Sequence, residues 1–251
     1  MKTNGLITRR RVIVAGLASV GGLLATRVPS ELPPTYGKLL RMGDNLTYAA
    51  HRALLPGQAL VREYGAEAIT SFPATGTTDP GRQTSARGET YRELRHGQFA
   101  DWRLSVGGRV ATPRTFSLEE LRALTSRTQI TRHTCEEGWT AIGQWTGATL
   151  GAVLDAVGIL PTARFVAFYS LDGWADTIDM LDAFHPQTIL AYGMNGRDLP
   201  IQHGAPLRLR VERQMGYKSM KYLNRIAAVD EFDDANADGL LRGGWAWYTG
   251  I

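Results

Sequence analysis

The alternation of apolar and polar residues becomes regular after residue 101, which predicts that the strands lie in the C-terminal part of the chain. Trp102 to Val106 alternates as a half-buried strand does, and Gly107-Gly108 supplies a turn. Further short strands are predicted at Gln129 to Thr134, Phe165 to Ser170, Leu207 to Val211 and Ile226 to Val229.

Two short helices are signalled by their ends. Ser117 to Glu120 forms a capping-box pattern that predicts a helix through Leu124. Thr149 can cap a second helix that ends at Gly158, with apolar positions at Leu150, Val153, Leu154 and Val157. Two or three short helices among many strands predict a mixed, strand-rich α+β fold in a single domain. No G-x-G-x-x-G motif follows a strand, which argues against a dinucleotide-binding fold.

The first third of the chain lacks this regularity. Val28 to Gly37 is proline-rich and is predicted to be extended. Thr70 to Arg95 contains many Gly, Pro, Ser and Thr residues, which predicts a long loop that wraps a core formed later in the chain. We therefore interpret 28–95 as an extended N-terminal segment that contributes cofactor contacts, and 96–251 as the core.

The N-terminus has the pattern of an export signal. A twin-arginine pair lies in Thr8 to Ile13, and an apolar, Gly- and Ala-rich stretch follows from Val12 to Ala25. That stretch is shorter than the ~20 residues of a membrane span and has the length of a signal-peptide apolar region. We predict that 1–27 is a twin-arginine signal peptide and that the protein is periplasmic or exported. An uncleaved membrane anchor is the alternative.

The excess of basic over acidic residues in the chain comes from this predicted signal peptide. The formal net charge is +4, and residues 1–27 contain no acid but five bases: Lys2, Arg9, Arg10, Arg11 and Arg27. Without them the charge falls to −1. The sequence therefore predicts no nucleic-acid partner.

Cys135 is the only cysteine of a chain that is predicted to be exported. Oxidising compartments favour paired cysteines, so a single thiol there invites another explanation. A thiolate is a strong ligand for soft metals, which makes Cys135 a candidate metal ligand. A small buried hydrophobe is the other interpretation, and this segment alone leaves both open.

Four separated segments carry polar groups, and together they resemble a known family. The specific motifs are Cys-x-Glu-Gly-Trp with a following Trp-x-Gly, an Asn-Gly to Pro-Leu-Arg stretch, and Gly-Tyr-Lys-Ser-x-Lys; they begin at Cys135, Asn195 and Gly216. Over about residues 40–230 the chain resembles the sulfite oxidase-type molybdopterin-dependent oxidoreductases. Within them it is most similar to the periplasmic methionine-sulfoxide reductase catalytic subunits.

The resemblance implies a molybdenum held by the dithiolene of one molybdopterin, with the Cys135 sulfur as the catalytic protein ligand. It implies further cofactor contacts from nine residues: Asn45, Tyr48, His51, Ser170, His203, Arg208, Ser219, Met220 and Lys221. The chemistry of these side chains agrees with a cofactor that carries a phosphate. A guanidinium such as that of Arg208 binds phosphate bidentately, and Lys221 adds a point charge. His133 and His185 match no motif and are assigned structural roles.

The chain departs from the sulfite-oxidising members after the cysteine. They place arginines there, whereas Glu136 and Glu137 would repel a dianion at short range. An arginine from elsewhere, such as Arg52, Arg82 or Arg132, would be needed to compensate. The interpretation is oxygen-atom transfer on a small or protein-bound sulfoxide or N-oxide, such as methionine sulfoxide, with sulfite oxidation as the alternative.

Two further features of the sequence concern the electron partner and the oligomeric state. The sequence has no C-x-x-C-H haem motif. We therefore expect electrons from a separate partner: a membrane b-type haem protein, a periplasmic cytochrome or a quinone-linked protein. The C-terminal immunoglobulin-like dimerisation domain of sulfite oxidases is not recognisable, so we expect a monomer. A cysteine-nucleophile hydrolase using Cys135 with His133 or His203, and a non-catalytic binding protein, are the remaining alternatives.

Overall fold

The computed structural model describes residues 38–55, 57–231 and 246–251, with residues 38–42 described by their backbone alone. The predicted signal peptide and the proline-rich Val28 to Gly37 lie outside the described residues. Five α-helices occur in the described part: α1 (Lys38–Leu54), α2 (Ala86–His96), α3 (Leu118–Ala123), α4 (Leu150–Val157) and α5 (Met180–Ala183). None of these helices is both long and apolar enough to span a bilayer.

In the part of the chain that the structure describes, ten strands form two sheets. They are β1 (Leu104–Gly108), β2 (Arg114–Phe116), β3 (Ser126–Thr134), β4 (Thr140–Thr149), β5 (Phe165–Ser170), β6 (Ala175–Asp179), β7 (Ile189–Met194), β8 (Arg197–Asp198), β9 (Arg208–Arg210) and β10 (Leu223–Val229). The first sheet has the order β2-β1-β10-β5-β6, in which only the β1–β10 pair is parallel. The second has the order β3-β4-β7-β8, and β9 also pairs with β7. The predicted mixed, strand-rich α+β fold is confirmed.

The two helix caps read from the sequence are confirmed. Ser117 Oγ accepts from the Glu120 backbone N–H over 3.1 Å, and Glu120 Oε2 accepts from the Ser117 N–H over 2.8 Å. Thr149 Oγ1 accepts from the Ala152 N–H over 3.4 Å at the start of α4. Gly158 ends α4 with a φ of +69°, a conformation that glycine adopts without steric cost.

One apolar core lies between the two sheets and α4. It joins Leu104 and Phe168 of the first sheet to Leu190 of the second, and it includes Leu150 and Leu154 of α4. All five side chains are fully buried. Their burial packs the two sheets against each other.

The prediction of a continuous loop from Thr70 to Arg95 is wrong at its C-terminal end. Helix α2 begins at Ala86, with Ser85 Oγ accepting from the Gly88 N–H over 3.3 Å. The helix is mostly polar and buries Tyr91, whose hydroxyl donates to the Ala205 carbonyl over 2.7 Å. The N-terminal segment is likewise not extended throughout, because α1 occupies Lys38–Leu54. The boundaries placed at residues 28, 95 and 96 stay predictions.

Candidate active site

A cavity of about 370 Å³ opens where four stretches of chain meet. It is lined by the segment 72–77, the end of β3 with the turn that follows it, the turn 172–174, and residues between 202 and 221. Its volume lies in the range of small-molecule sites. The residues that the sequence separates by more than a hundred positions are thus brought to one pocket.

Cys135 lies at the end of β3, on the buried face of that strand. Thr131, His133 and Cys135 alternate with more exposed residues, so all three point to the same side of the sheet. A tight turn follows, in which the Cys135 N–H donates to the Trp139 carbonyl over 2.9 Å. Gly138 makes this turn possible with a φ of +89°. The sulfur is thereby presented to the cavity from a fixed backbone.

The electrostatics at Cys135 favour a neutral thiol in the protein alone. Burial raises the pKa of Cys135 to about 11, and the Glu136 carboxylate adds to that effect. Sγ donates to Glu136 Oε2 over 3.4 Å. A bound cation reverses this balance, because a thiol that coordinates a metal ion is deprotonated.

Arg208 lies on β9, is buried and lines the cavity. Its Nη1 donates to the His203 carbonyl over 3.0 Å, and its Nη2 donates to the Ser219 carbonyl over 2.7 Å. The Nε atom is buried without a hydrogen-bond partner in the described structure. Burial, followed by the neighbouring Arg210, lowers the pKa of Arg208 to about 9. An anion bound in the cavity would offset the charge of this buried guanidinium.

Lys221 supplies a second cation and ties two walls of the cavity together. Its Nζ donates to the carbonyls of Thr75 over 2.8 Å and Gln202 over 3.2 Å, and also to that of Thr77. Burial, followed by Arg208, lowers the pKa of Lys221 to about 8. Ser219 and Met220 line the same wall. Ser219 Oγ also accepts from the Val211 N–H over 3.3 Å, which fixes the loop to the end of β9.

Two histidines line the cavity, although the resemblance implied a cofactor contact for His203 alone. His203 lies 5.6 Å from the Phe72 ring in an edge-on contact, and its pKa is lowered to about 4 by burial, Arg208 and Lys221. His133 was assigned a structural role, yet it also faces the cavity. Arg210 Nη1 donates to His133 Nδ1 over 2.8 Å, and burial lowers the pKa of His133 to about 2.

Ser170 shapes the cavity without lining it. Its hydroxyl donates to Asp172 Oδ1 and accepts from the Trp174 N–H over 3.1 Å. Gly173 completes this turn with a φ of +91°. Asp172 and Trp174 are therefore the residues of this turn that reach the cavity, and Ser170 holds them in place.

The structure does not bring Asn45, Tyr48 or His51 to the cavity. They lie on α1, where the Tyr48 ring is 4.9 Å from that of Trp247 and His51 Nδ1 is 3.3 Å from the Tyr248 hydroxyl. The contribution expected from the N-terminal part comes instead from residues 72–77, which form one wall. Tyr48 and His51 pack against the C-terminal segment in this structure, and the assignment of the three residues as cofactor contacts stays a prediction.

The residues present fit a molybdopterin. Its terminal phosphate matches Arg208, with its orphaned buried Nε, and Lys221. The heteroatom-rich pterin matches the many backbone carbonyls and N–H groups of the walls. Gly216 also lines the cavity, and a Cβ there would overlap the His133 ring, so the backbone at Gly216 packs directly against His133. Cys135 is the one thiol in the site.

The fold and the site define a cofactor-binding α+β domain. Its cavity is lined by two cations, Arg208 and Lys221, and by the Cys135 thiol. Residues 92–236 match the family model of the oxidoreductase molybdopterin binding domain. Since the match covers more than half of the chain, this protein belongs to that family. The resemblance read from the sequence motifs is confirmed.

Curated relatives carry related names. The chain is 36% identical over 158 residues to a protein of Azospira oryzae provisionally named protein-methionine-sulfoxide reductase subunit YedZ1, with 63% of this chain and 59% of that protein covered. It is 31% identical over 170 residues to the protein-methionine-sulfoxide reductase catalytic subunit MsrP of Xanthomonas axonopodis, with 61% and 53% covered. The match thus spans little more than half the length of these relatives.

A solved structure supports the fold. The sulfane dehydrogenase SoxCD from Paracoccus pantotrophus superimposes with a TM-score of 0.52 at 21% identity, covering 55% of this chain and 40% of that one. At this identity the likeness concerns the fold alone. It agrees with the α+β architecture of two sheets described above.

Proposed function

We propose that this protein is an exported molybdopterin-dependent oxidoreductase that reduces a neutral sulfoxide, such as protein-bound methionine sulfoxide, by oxygen-atom transfer. The observation that carries the proposal is the cavity in which Cys135 shares one space with Arg208 and Lys221. The names of the YedZ1 and MsrP relatives support a sulfoxide as the substrate class.

Each residue has a role in this proposal. A bound molybdopterin would supply the metal that changes oxidation state during oxygen-atom transfer. Cys135 would be the protein ligand, and Arg208 with Lys221 would hold the phosphate. The rings of Phe72, Trp139 and Trp174 line the remaining space and would exclude water from the substrate.

The charges around the sulfur favour a neutral substrate. Glu136, Glu137 and Asp172 all line the cavity, so the carboxylates after the cysteine do face the space where a substrate would bind. A sulfite dianion would meet their repulsion, and a sulfoxide would not. This arrangement supports sulfoxide reduction over sulfite oxidation.

The arginines that were considered as compensating charges lie elsewhere. Arg52 pairs with Asp179 and Asp182, and Arg82 lies 3.9 Å from Asp79. Arg132 stacks over Tyr64 and faces a different cavity. The cations that do line the site, Arg208 and Lys221, are held by backbone carbonyls at its walls.

The hydrolase alternative lacks the required contact. In the described structure the Cys135 sulfur hydrogen-bonds to Glu136, and His133 Nδ1 accepts from Arg210. A nucleophilic cysteine needs a base that takes its proton, and burial lowers the pKa of both candidate histidines. The geometry therefore favours the redox interpretation.

The test is a comparison of kcat/KM for a methyl sulfoxide and for sulfite, using the holoenzyme and a dye as electron donor or acceptor. We expect efficient sulfoxide reduction and poor sulfite oxidation. Glu137→Gln should raise the sulfite value at low salt and leave the sulfoxide value within about twofold, because only the anion senses the lost charge. Efficient sulfite oxidation by the wild type that weakens as salt rises would overturn the substrate assignment.

Export and the electron partner belong to the same proposal. A twin-arginine signal fits a protein that is translocated after folding with its cofactor, and electrons would come from a separate membrane or periplasmic redox protein. Arg9→Lys with Arg10→Lys should retain the precursor in the cytoplasm. A triple variant that also carries Arg11→Lys removes the last arginine of this run and is included. A triple variant that still reaches the periplasm would refute the twin-arginine assignment.

A further inference from the structure

A second cavity, of about 390 Å³, lies on the other face of β3. Arg132 and Thr134 line it, and they alternate along the strand with His133 and Cys135, which face the active site. The segment 61–64 forms the facing wall and is held to the strand by the Tyr64 N–H, which donates to the Ile130 carbonyl over 2.9 Å. The two cavities are therefore separated by the thickness of one sheet.

Three arginines line this second cavity: Arg62, Arg132 and Arg213. Across residues 38–55, 57–231 and 246–251, none of them forms an ion pair with a carboxylate. Arg62 and Arg132 are exposed and lie over the same ring, that of Tyr64, with their guanidinium carbons 4.8 Å and 5.5 Å from its centroid. The ring holds both charges at the mouth of the cavity.

Arg213 is the inner member of the three and is only 4% exposed. Its Nη1 donates to the Gly57 carbonyl over 2.6 Å, but its Nη2 is buried without a partner in the described structure. A buried guanidinium without a counter-charge is costly unless an anion or water completes its hydrogen bonds. This atom is an observation independent of the two exposed arginines.

The one acidic side chain in the lining, Glu212, does not neutralise Arg213. Its Oε1 accepts from Arg210 Nε and from Gln129 Nε2, each over 3.0 Å, and its Oε2 accepts from Arg210 Nη2 over 2.7 Å. Both oxygens are thus engaged by a different arginine. The α-carboxylate of Ile251 offsets one of the three arginine charges, and the lining keeps a net positive charge.

The cavity also has an aliphatic rim. Leu55, Leu60 and Ile251 line it and are 41%, 55% and 48% exposed, and they are among the few large hydrophobic side chains of the described chain that face solvent. Large exposed apolar residues that cluster beside charged groups mark a binding surface. A small inorganic anion would use the arginines and leave this rim uncovered.

We propose that this second cavity is a binding site for an amphiphilic anion: a carboxylate or phosphate head on an aliphatic chain. The head would lie between Arg213 and the Arg62–Arg132 pair, where guanidinium groups can bind it bidentately. The aliphatic chain would cover Leu55, Leu60 and Ile251. The ligand can come from two sources, a free fatty-acid-like anion or the headgroup of an anionic lipid.

The test uses isothermal titration of the holoenzyme with octanoate, 1-octanol and acetate at fixed ionic strength. We expect octanoate to bind at least about tenfold more tightly than either fragment, because only octanoate uses both the arginines and the rim. Arg62→Ala with Arg132→Ala should weaken octanoate binding by at least about tenfold. These side chains are exposed, so the variant should fold.

Arg225→Ala is the matched control, because Arg225 is also exposed and stacked, 3.5 Å over the Tyr169 ring, but lies outside the cavity. It should bind octanoate as the wild type does. Sedimentation with phosphatidylglycerol vesicles, against phosphatidylcholine vesicles, separates the sources: vesicle binding that the double variant loses points to a lipid headgroup, and octanoate binding alone points to a free anion. Equal octanoate affinity in the double variant and the wild type, or acetate binding as tight as octanoate, would overturn the proposal.

Discussion

Lys221 Nζ lies 2.8 Å from the carbonyl oxygen of Thr75, a hydrogen bond that joins two walls of the active-site cavity across 146 positions of sequence. Gly204 permits this junction, because its φ is +110° and a Cβ there would lie 2.9 Å from the Lys221 side chain. The 72–77 wall is thereby held by a cation that also faces the cavity.

The first prediction concerns this junction. Lys221→Met should release the 72–77 wall and remove a phosphate-binding charge. The molybdenum content of the variant after gel filtration should therefore be lower than that of the wild type by about fivefold or more. Lys221→Arg keeps the charge and donors and should retain more than Lys221→Met. Equal molybdenum content in the wild type and Lys221→Met would show that the residue has no part in cofactor binding.

A second prediction concerns Arg208, which spans two backbone carbonyls with one planar group. A lysine keeps the positive charge but lacks the planar guanidinium that donates to both carbonyls. Arg208→Lys should therefore lower the free energy of unfolding by about 2 kcal/mol and reduce cofactor content. Chemical denaturation and metal analysis of the same preparation measure the two effects. Wild-type values for both would contradict the role given to Arg208.

A third prediction concerns the buried pair of Lys218 and Asp176. Nζ donates to Oδ1 over 2.6 Å, and both side chains are at most 1% exposed. Lys218→Met should lower the free energy of unfolding by about 3–5 kcal/mol, because Asp176 would be left buried without its counter-charge. Adding Asp176→Leu should recover part of this loss. Additive losses in the double variant would show that the pair is not coupled.

A fourth prediction follows from the lowered pKa of His203, about 4 in the folded protein. An unfolded histidine has a pKa of about 6.5, so the unfolded state binds more protons between these values and stability falls as the pH drops through that window. In cofactor-free protein from a host that makes no molybdopterin, the loss between pH 7 and pH 5 should include about 2 kcal/mol from His203.

Urea denaturation at both pH values tests this. His203→Gln should show a pH-dependent loss that is smaller by that amount. The control is His96→Gln, because His96 is exposed at the end of α2. An unchanged pH dependence in His203→Gln would mean that His203 does not stay neutral in the folded protein.

The sequence predicted the parts of the fold that are encoded locally. Ser117 with Glu120, and Thr149 with Gly158, are signals read within one helix, and the structure starts α3 directly after Ser117 and places α4 between Thr149 and Gly158. Helix α2 was missed because it carries few apolar residues and an internal glycine, Gly88, that lowers helix propensity. Tertiary contacts of Tyr91 stabilise that helix, and no local pattern shows them.

The site was predictable to the extent that its motifs are short and contiguous. Cys135, His203, Arg208 and the run from Ser219 to Lys221 all face or support the cavity. His133 was missed, although its alternation with Cys135 along β3 was a usable signal. The wall at 72–77 was predicted only as part of the segment 28–95, because a loop has no periodicity to single out its residues and its position depends on Lys221, which is distant in sequence.

The central claim is that the Cys135 cavity holds one molybdopterin, and its most direct test is the molybdenum content of the purified chain. Protein matured in a molybdopterin-producing host should contain about one molybdenum per chain, and Cys135→Ser should lose the sulfur scattering of the protein ligand from the molybdenum X-ray absorption spectrum. Wild-type protein from that host with less than about a tenth of a molybdenum per chain would contradict the account, as would an unchanged spectrum in Cys135→Ser.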